Sequence, residues 1–135
     1  MDPTLVPRYA AVLVIGMILL SARVIRLRRR YAVSVGDGGH ASLQRAIRVH
    51  GNFCEYVPLT VLLLAFLELQ GLHHTVLHAL CLLLVAGRVV HAVGVSRTQE
   101  DHRFRVAGVA ATMTALGSAA LLLLAGGILS AGLFG

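Results

Sequence analysis

The sequence contains neither tryptophan nor lysine, and only 5% of its 135 residues are aromatic and 13% charged. A soluble domain of this size carries about a quarter charged residues, so the shortage argues against a chain that keeps itself in water. The absence of lysine leaves the twelve basic residues as arginines against six acids. They are clustered beside long apolar runs with almost no aromatic residues between them. Strong basicity is one mark of a nucleic-acid binder, but such a protein needs no charge-free stretches of membrane length, and no nucleic-acid partner is expected. Cys54 and Cys81 fall in different apolar runs, too few and too deep for a disulfide framework. Both are expected to act as small buried apolar residues.

What the chain has in quantity is apolar sequence. Val106 to Gly135 holds no charged residue, more than the roughly 20 residues that cross a bilayer. Three further runs are interrupted by polar groups. Tyr9 to Ala22 is extended by Arg23 and Arg26, whose long stems can snorkel to the interface. Tyr56 to Leu67 must continue back through Glu55, Asn52 and Arg48 to reach spanning length, and Thr75 to Gly87 must continue through Arg88 and His91. The spacing predicts an all-α integral membrane four-helix bundle, one domain over residues 1–135, with helices at about 5–30, 41–70, 73–96 and 102–132. The N-terminal run is expected to be a retained first helix and not a signal peptide, since its basic residues follow the apolar stretch.

The breaks have recognisable chemistry. Val35-Gly36-Asp37-Gly38-Gly39 reads as a turn; with no strand before it, it is not a phosphate loop. Gly71 closes the second helix, and Ser96 to Glu100 separates the third from the fourth. Arg26, Arg28, Arg29 and Arg30 crowd the first connection, and Arg97 and Arg103 the third, while Gln70 to His74 has no arginine. Excess arginine marks cytoplasmic loops, so both termini are expected outside the cytoplasm despite Asp2 and Arg8. Arg28, Arg29, Arg30 and Arg97 are expected to anchor at the interface. Gly108, Ala111, Thr112, Ala115 and Ala119 give the fourth helix the small-residue face on which membrane helices approach closely.

The second helix carries an expensive face. At 100° per residue Arg45, Arg48, Asn52 and Glu55 fall within an arc of about 80°, with Tyr56 at its margin. A charged group near a helix centre costs about 2.5–3.5 kcal/mol on insertion scales. Such a face persists if it is paired internally, for instance as an Arg48–Glu55 ion-pair network, or if it opens on a polar ligand. Arg23, Arg26, Arg88, His91, Arg103 and Arg105 lie at similar depth on the other helices. Glu55 alone cannot neutralise them, which leaves room for a small anion. Pro58 removes a backbone hydrogen bond one turn beyond this face and loosens the helix there. His74 and His78 have the i,i+4 spacing of a metal pair but no third ligand, and no metal is expected; a haem held by His50 and His91 is the weaker reading.

The run Arg45-Ala46-Ile47-Arg48-Val49-His50-Gly51-Asn52-Phe53-Cys54-Glu55-Tyr56-Val57-Pro58 resembles the R-x-x-R-x-H-x-N-x-x-E-x-x-P signature of the MAPEG family, membrane-associated proteins of eicosanoid and glutathione metabolism. Gly87-Arg88-Val89-Val90-His91 and Phe104-Arg105-Val106-Ala107-Gly108 fit as well, and the wording is most similar to the bacterial branch. The resemblance implies an inner-membrane homotrimer that binds glutathione as co-substrate between subunits near the cytoplasmic face. It implies glutathione contacts for Arg48, Asn52, Glu55 and Tyr56, for His91, and for Arg23 or Arg26 on the first helix. Arg105 matches the arginine held to stabilise the thiolate, the catalytic role. The implied activity is a glutathione transferase or peroxidase acting on a hydrophobic small-molecule electrophile delivered by membrane lipids. Val106 and Val95 stand where prostaglandin E synthases have Ser and Tyr, which argues against that isomerase activity. The alternative is a non-catalytic membrane scaffold that binds a lipid or other small anion.

Overall fold

A computed structural model describes residues 4–96 and 102–131, the side chains of 127–131 excepted. It contains α1 (Leu5–Tyr31), α2 (Ala41–Leu69), α3 (His74–Ser96) and α4 (His102–Ala131), and no strand among the described residues. Each is long and apolar enough to cross a membrane, and their limits lie within a residue of those the sequence predicts. The predicted break at 97–100, with Arg97, and Asp2 lie outside the described residues.

The ends of the helices explain where the chain turns. α1 stops at Ala32, in the left-handed region at φ 53°, and the Val33 amide reaches back to the Arg28 carbonyl at 3.0 Å. The Arg28 guanidinium then donates to the carbonyls of Ser34 and Gly36 at 3.0 and 2.9 Å, tying the connection to its own helix. Gly36, Gly38 and Gly39 all have positive φ, as the predicted turn requires. At the end of α2 the Leu72 amide bonds the Leu67 carbonyl and Gly71 that of Glu68, a Schellman-type stop made possible by Gly71 at φ 79°.

α2 and α3 form a central pair with α4 against one side and α1 against the other, and α1 does not reach α4. The core runs along this pair through Phe53, Val57, Leu64, Leu77, Leu80 and Leu84, closed by Ala115 and Ala119 of α4. The tightest seam is between α3 and α4. A Cβ on Gly108 would lie 2.5 Å from the His91 amide nitrogen and 2.7 Å from the Gly87 carbonyl, and one on Gly94 would lie 2.9 Å from the Arg105 nitrogen. Lipid offers little drive for helices to associate, so such backbone-to-backbone approach carries the packing.

α1 is held differently. Within it only Val6 and Leu13 are buried. At its N-terminal end the Glu68 carboxylate accepts from the amides of Thr4, Leu5 and Val6 at 2.9, 2.6 and 3.0 Å, placing a negative charge on the positive end of the helix dipole. The Tyr9 hydroxyl meets His78 Nδ1 at 2.7 Å. At the other end Ser21 meets His50 Nε2 at 2.9 Å, Arg23 donates to Ser96, and Tyr31 bonds Ser42 at 2.9 Å. Between these ties, Gly16 rests on the Phe53 ring and apolar clefts of about 400 and 210 Å³ open on the α3 and α2 sides.

One expectation changes here. Cys81 is buried, but Cys54 is exposed, because it lies well off the stripe Leu43, Ala46, Val49, Phe53, Val57 that α2 buries. Pro58 sits inside α2 and borders the apolar α1 cleft.

Candidate functional site

On the α4 side of the central pair lies a cavity of about 150 Å³ lined by Gln44, Arg45, Arg48 and Asn52 of α2, His91 and Val95 of α3, and Arg105 and Val109 of α4. Helical spacing assembles it. Gln44, Arg48 and Asn52 recur every four residues on one face of α2, His91 and Val95 do the same on α3, and Arg105 and Val109 on α4. The α3–α4 glycine seam fixes the last two pairs against each other.

The lining is almost entirely made of hydrogen-bond donors. Three arginines, one asparagine, one glutamine and one histidine contribute, and no carboxylate does among the described residues. A guanidinium has five N–H donors and no acceptor, so the cavity is better suited to an anion than to a cation, for which only the amide oxygens and one imidazole nitrogen could accept. The Arg45 Nε is buried without a hydrogen-bond partner. A buried donor left unmade costs about 1–3 kcal/mol, which an incoming acceptor removes.

Behind the cavity sits Arg88, only 4% exposed. Its Nη1 donates to Asn52 Oδ1 at 2.7 Å and its Nη2 to the Gly108 carbonyl at 3.2 Å. Thr112 Oγ1 donates to the same carbonyl at 3.0 Å. One side chain thus links α2, α3 and α4 at the level of the cavity. Its two partners are neutral oxygens, so its charge meets no carboxylate through these bonds.

Of the residues singled out from the sequence, Arg48, Asn52, His91 and Arg105 come together in the cavity. Glu55, Tyr56, Arg23 and Arg26 do not line it within a single chain. Arg23 is engaged with Ser96, and Arg26 is exposed. Glu55 is exposed on the lateral surface of α2 and has no polar partner among the described residues. An Arg48–Glu55 ion pair is therefore not what holds this chain together. His50 turns to α1, as its angle from the Arg48 face implies. Of the His74–His78 pair, the His78 Nδ1 meets the Tyr9 hydroxyl at 2.7 Å.

Sequence reasoning missed Gln44, Val109 and the bond from Arg88 to Asn52. Gln44 had a usable signal, one turn before Arg48 on the same face. It also took Glu55 as the main embedded acid and overlooked Glu68, whose partners are backbone amides 62–64 residues away, a contact that leaves no mark in local spacing.

Comparison with known proteins gives a consistent result. The sequence profile of the MAPEG family matches residues 6–125. The chain is 39% identical over 108 residues to the inner membrane protein YecN of Escherichia coli K12, covering 80% of this chain and 81% of that protein. It has the same identity and coverage with YecN of Escherichia coli O6:H1 strain CFT073. No solved structure matches.

Proposed function

The chain belongs to the MAPEG family, and from that premise we propose that it is a membrane-bound glutathione-dependent transferase or peroxidase. The observation that carries this reading is the donor-rich cavity, in which Arg45, Arg48, Asn52, Gln44 and Arg105 converge with no carboxylate among the described lining residues. Glutathione carries two carboxylates, and planar guanidinium groups bind carboxylates in two-point fashion. Arg105 is the residue proposed to face the sulfur. A thiol attacks only as thiolate, and its ordinary pKa is about 8.5. Holding the thiolate at neutral pH takes a shift of about two units, or roughly 2.7 kcal/mol, a magnitude that one arginine in a partly dry site supplies. The thiolate sulfur then attacks an apolar electrophile arriving from the lipid side.

The site is proposed to be completed by a neighbouring copy in a homotrimer. About 150 Å³ is below the roughly 300–1,000 Å³ typical of small-molecule sites and holds one end of a tripeptide. Glu55 and Arg48 are exposed on the monomer, at a depth where an uncovered charge is costly. A second copy laid over this face covers both and brings Glu55, Tyr56 and a helix-one arginine toward the ligand. The protein is proposed to lie in the bacterial inner membrane, the location in the name of its relative YecN, with the arginine-rich α1–α2 connection in the cytoplasm and both termini on the far side.

A non-catalytic anion-binding scaffold is the competing reading, because the cavity contributes donors and no nucleophile of its own. Turnover separates the two. The purified protein with glutathione and an apolar electrophile is expected to form conjugate or reduced product, and Arg105→Ala to lose most of that rate while still binding glutathione. Unchanged turnover in Arg105→Ala removes the thiolate role from that residue; no turnover with binding intact favours the scaffold.

A further inference from the structure

We propose that Arg88 is a positioning residue that fixes the Asn52 carboxamide with its NH₂ end toward the polar cavity, so that Asn52 acts on the ligand as a hydrogen-bond donor. The inference rests on the anion-binding reading of that cavity and assigns a direction to one of its contacts.

The chemistry of the bond sets the direction. An asparagine side chain has one acceptor end and one donor end, which differ only by the identity of a single atom. A guanidinium can only donate, so the atom 2.7 Å from Arg88 Nη1 must be the carbonyl oxygen. The amide is planar and its two ends diverge, so Nδ2 leaves on the side away from Arg88. Asn52 lines the cavity, and its Nδ2 makes no hydrogen bond to any described residue. That donor is available to a ligand.

Arg88 is well placed to impose this. It is 4% exposed and its second terminal nitrogen is bound to the Gly108 carbonyl. Gly108 itself cannot move relative to α3 without opening the seam in which a Cβ finds no room. On the far side the residue borders the apolar α1 cleft beside Leu13 and Phe53. The guanidinium is therefore bonded to α2 and α4, with its Nε buried and unpaired, and Asn52 is the one partner whose chemical sense it can select. Without Arg88 the carboxamide is free to turn its oxygen into the cavity, where it repels a carboxylate. A residue that lines none of the cavity thus sets the sign of a contact within it.

The test uses the detergent-solubilised full chain and glutathione as the probe, with dissociation constants from equilibrium dialysis. Asn52→Leu is expected to weaken binding about tenfold, the loss of one hydrogen bond to a charged group. Asn52→Asp is expected to weaken it further than Asn52→Leu, because a donor is replaced by a like charge. Arg88→Met is expected to match Asn52→Leu, and the double variant to be no weaker than either alone, since both remove the same contact. Arg88→Lys, still donor-only, is expected to recover part of the loss. Asn52→Asp binding as well as the original chain overturns the proposal, because Asn52 then accepts from the ligand. Losses from Arg88→Met and Asn52→Leu that add also overturn it. If Arg88→Met does not fold, the order of Asn52→Asp and Asn52→Leu still decides. An original chain that does not bind millimolar glutathione removes the underlying reading, and this inference with it.

Discussion

The two flanks of the central α2–α3 pair are built on opposite plans. On one side α4 meets α3 backbone to backbone through Gly87, Gly94 and Gly108, and the polar cavity forms at the end of that contact where α3 ends and α4 begins. On the other side α1 is tied by polar contacts of Glu68, Tyr9, Ser21, Arg23 and Tyr31, and in the middle packs through Leu13 and Gly16 with apolar clefts beside them. A ligand site needs groups held in one geometry, and the glycine seam provides it. The α1 flank borders lipid, which is as apolar as the side chains it touches, so loose packing there costs little. Rigidity is concentrated where the arginines converge.

The comparison is broken most severely by Gly108→Leu. The new side chain begins 2.5 Å from the His91 nitrogen with backbone on both sides, and overpacking of that kind costs about 3 kcal/mol or more. Size-exclusion chromatography is expected to show loss of the monodisperse protein. Gly117→Ala, with nothing within 4 Å, is expected to change stability by less than about 0.5 kcal/mol. A smaller effect separates the flanks functionally. Arg48→Ala, inside the cavity, is expected to weaken glutathione binding about tenfold or more, the loss of a charged hydrogen-bonding group. Arg8→Ala, near the N-terminal end of α1, is expected to leave it unchanged; equal losses would mean that the arginines act only through overall charge.

Smaller still is Glu68→Ala. Removing the charge that receives three amides of α1 is expected to cost about 1–2 kcal/mol, read as faster hydrogen exchange over residues 4–9 with glutathione binding retained. A small effect is also expected of Leu13→Ala. Leu13 is buried and borders both α1 clefts, so lipid can fill the space it leaves. A loss under about 1 kcal/mol is expected, below the roughly 2–5 kcal/mol of the same change in a water-soluble core.

The helices were legible in the sequence because length and the absence of charge determine a membrane span almost directly. The turn at Gly36–Gly39 and the stop at Gly71 were legible for a similar reason, as positions that need positive φ. Half of the site was readable too: Arg48 and Asn52 share a face of α2 by periodicity alone. Arg105 and His91 were visible as polar groups at similar depth on the other helices, and their roles entered through family resemblance, since no spacing links them to α2. The rest depends on which helix faces which. Glu55 has the same periodicity as Arg48 yet lies outside the single-chain cavity, because the buried stripe of α2 turns it outward. Arg88 looked like one more cation of a basin, and its bond to Asn52 exists only because α3 is held by α4.

The central claim, that this donor-lined cavity binds glutathione as its thiolate, is tested most directly by ultraviolet titration of the purified protein near neutral pH. Thiolate absorbance that rises with glutathione, saturates, and is lost in Arg105→Ala is the predicted result. No thiolate signal at millimolar glutathione, or a signal unchanged in Arg105→Ala, would contradict it.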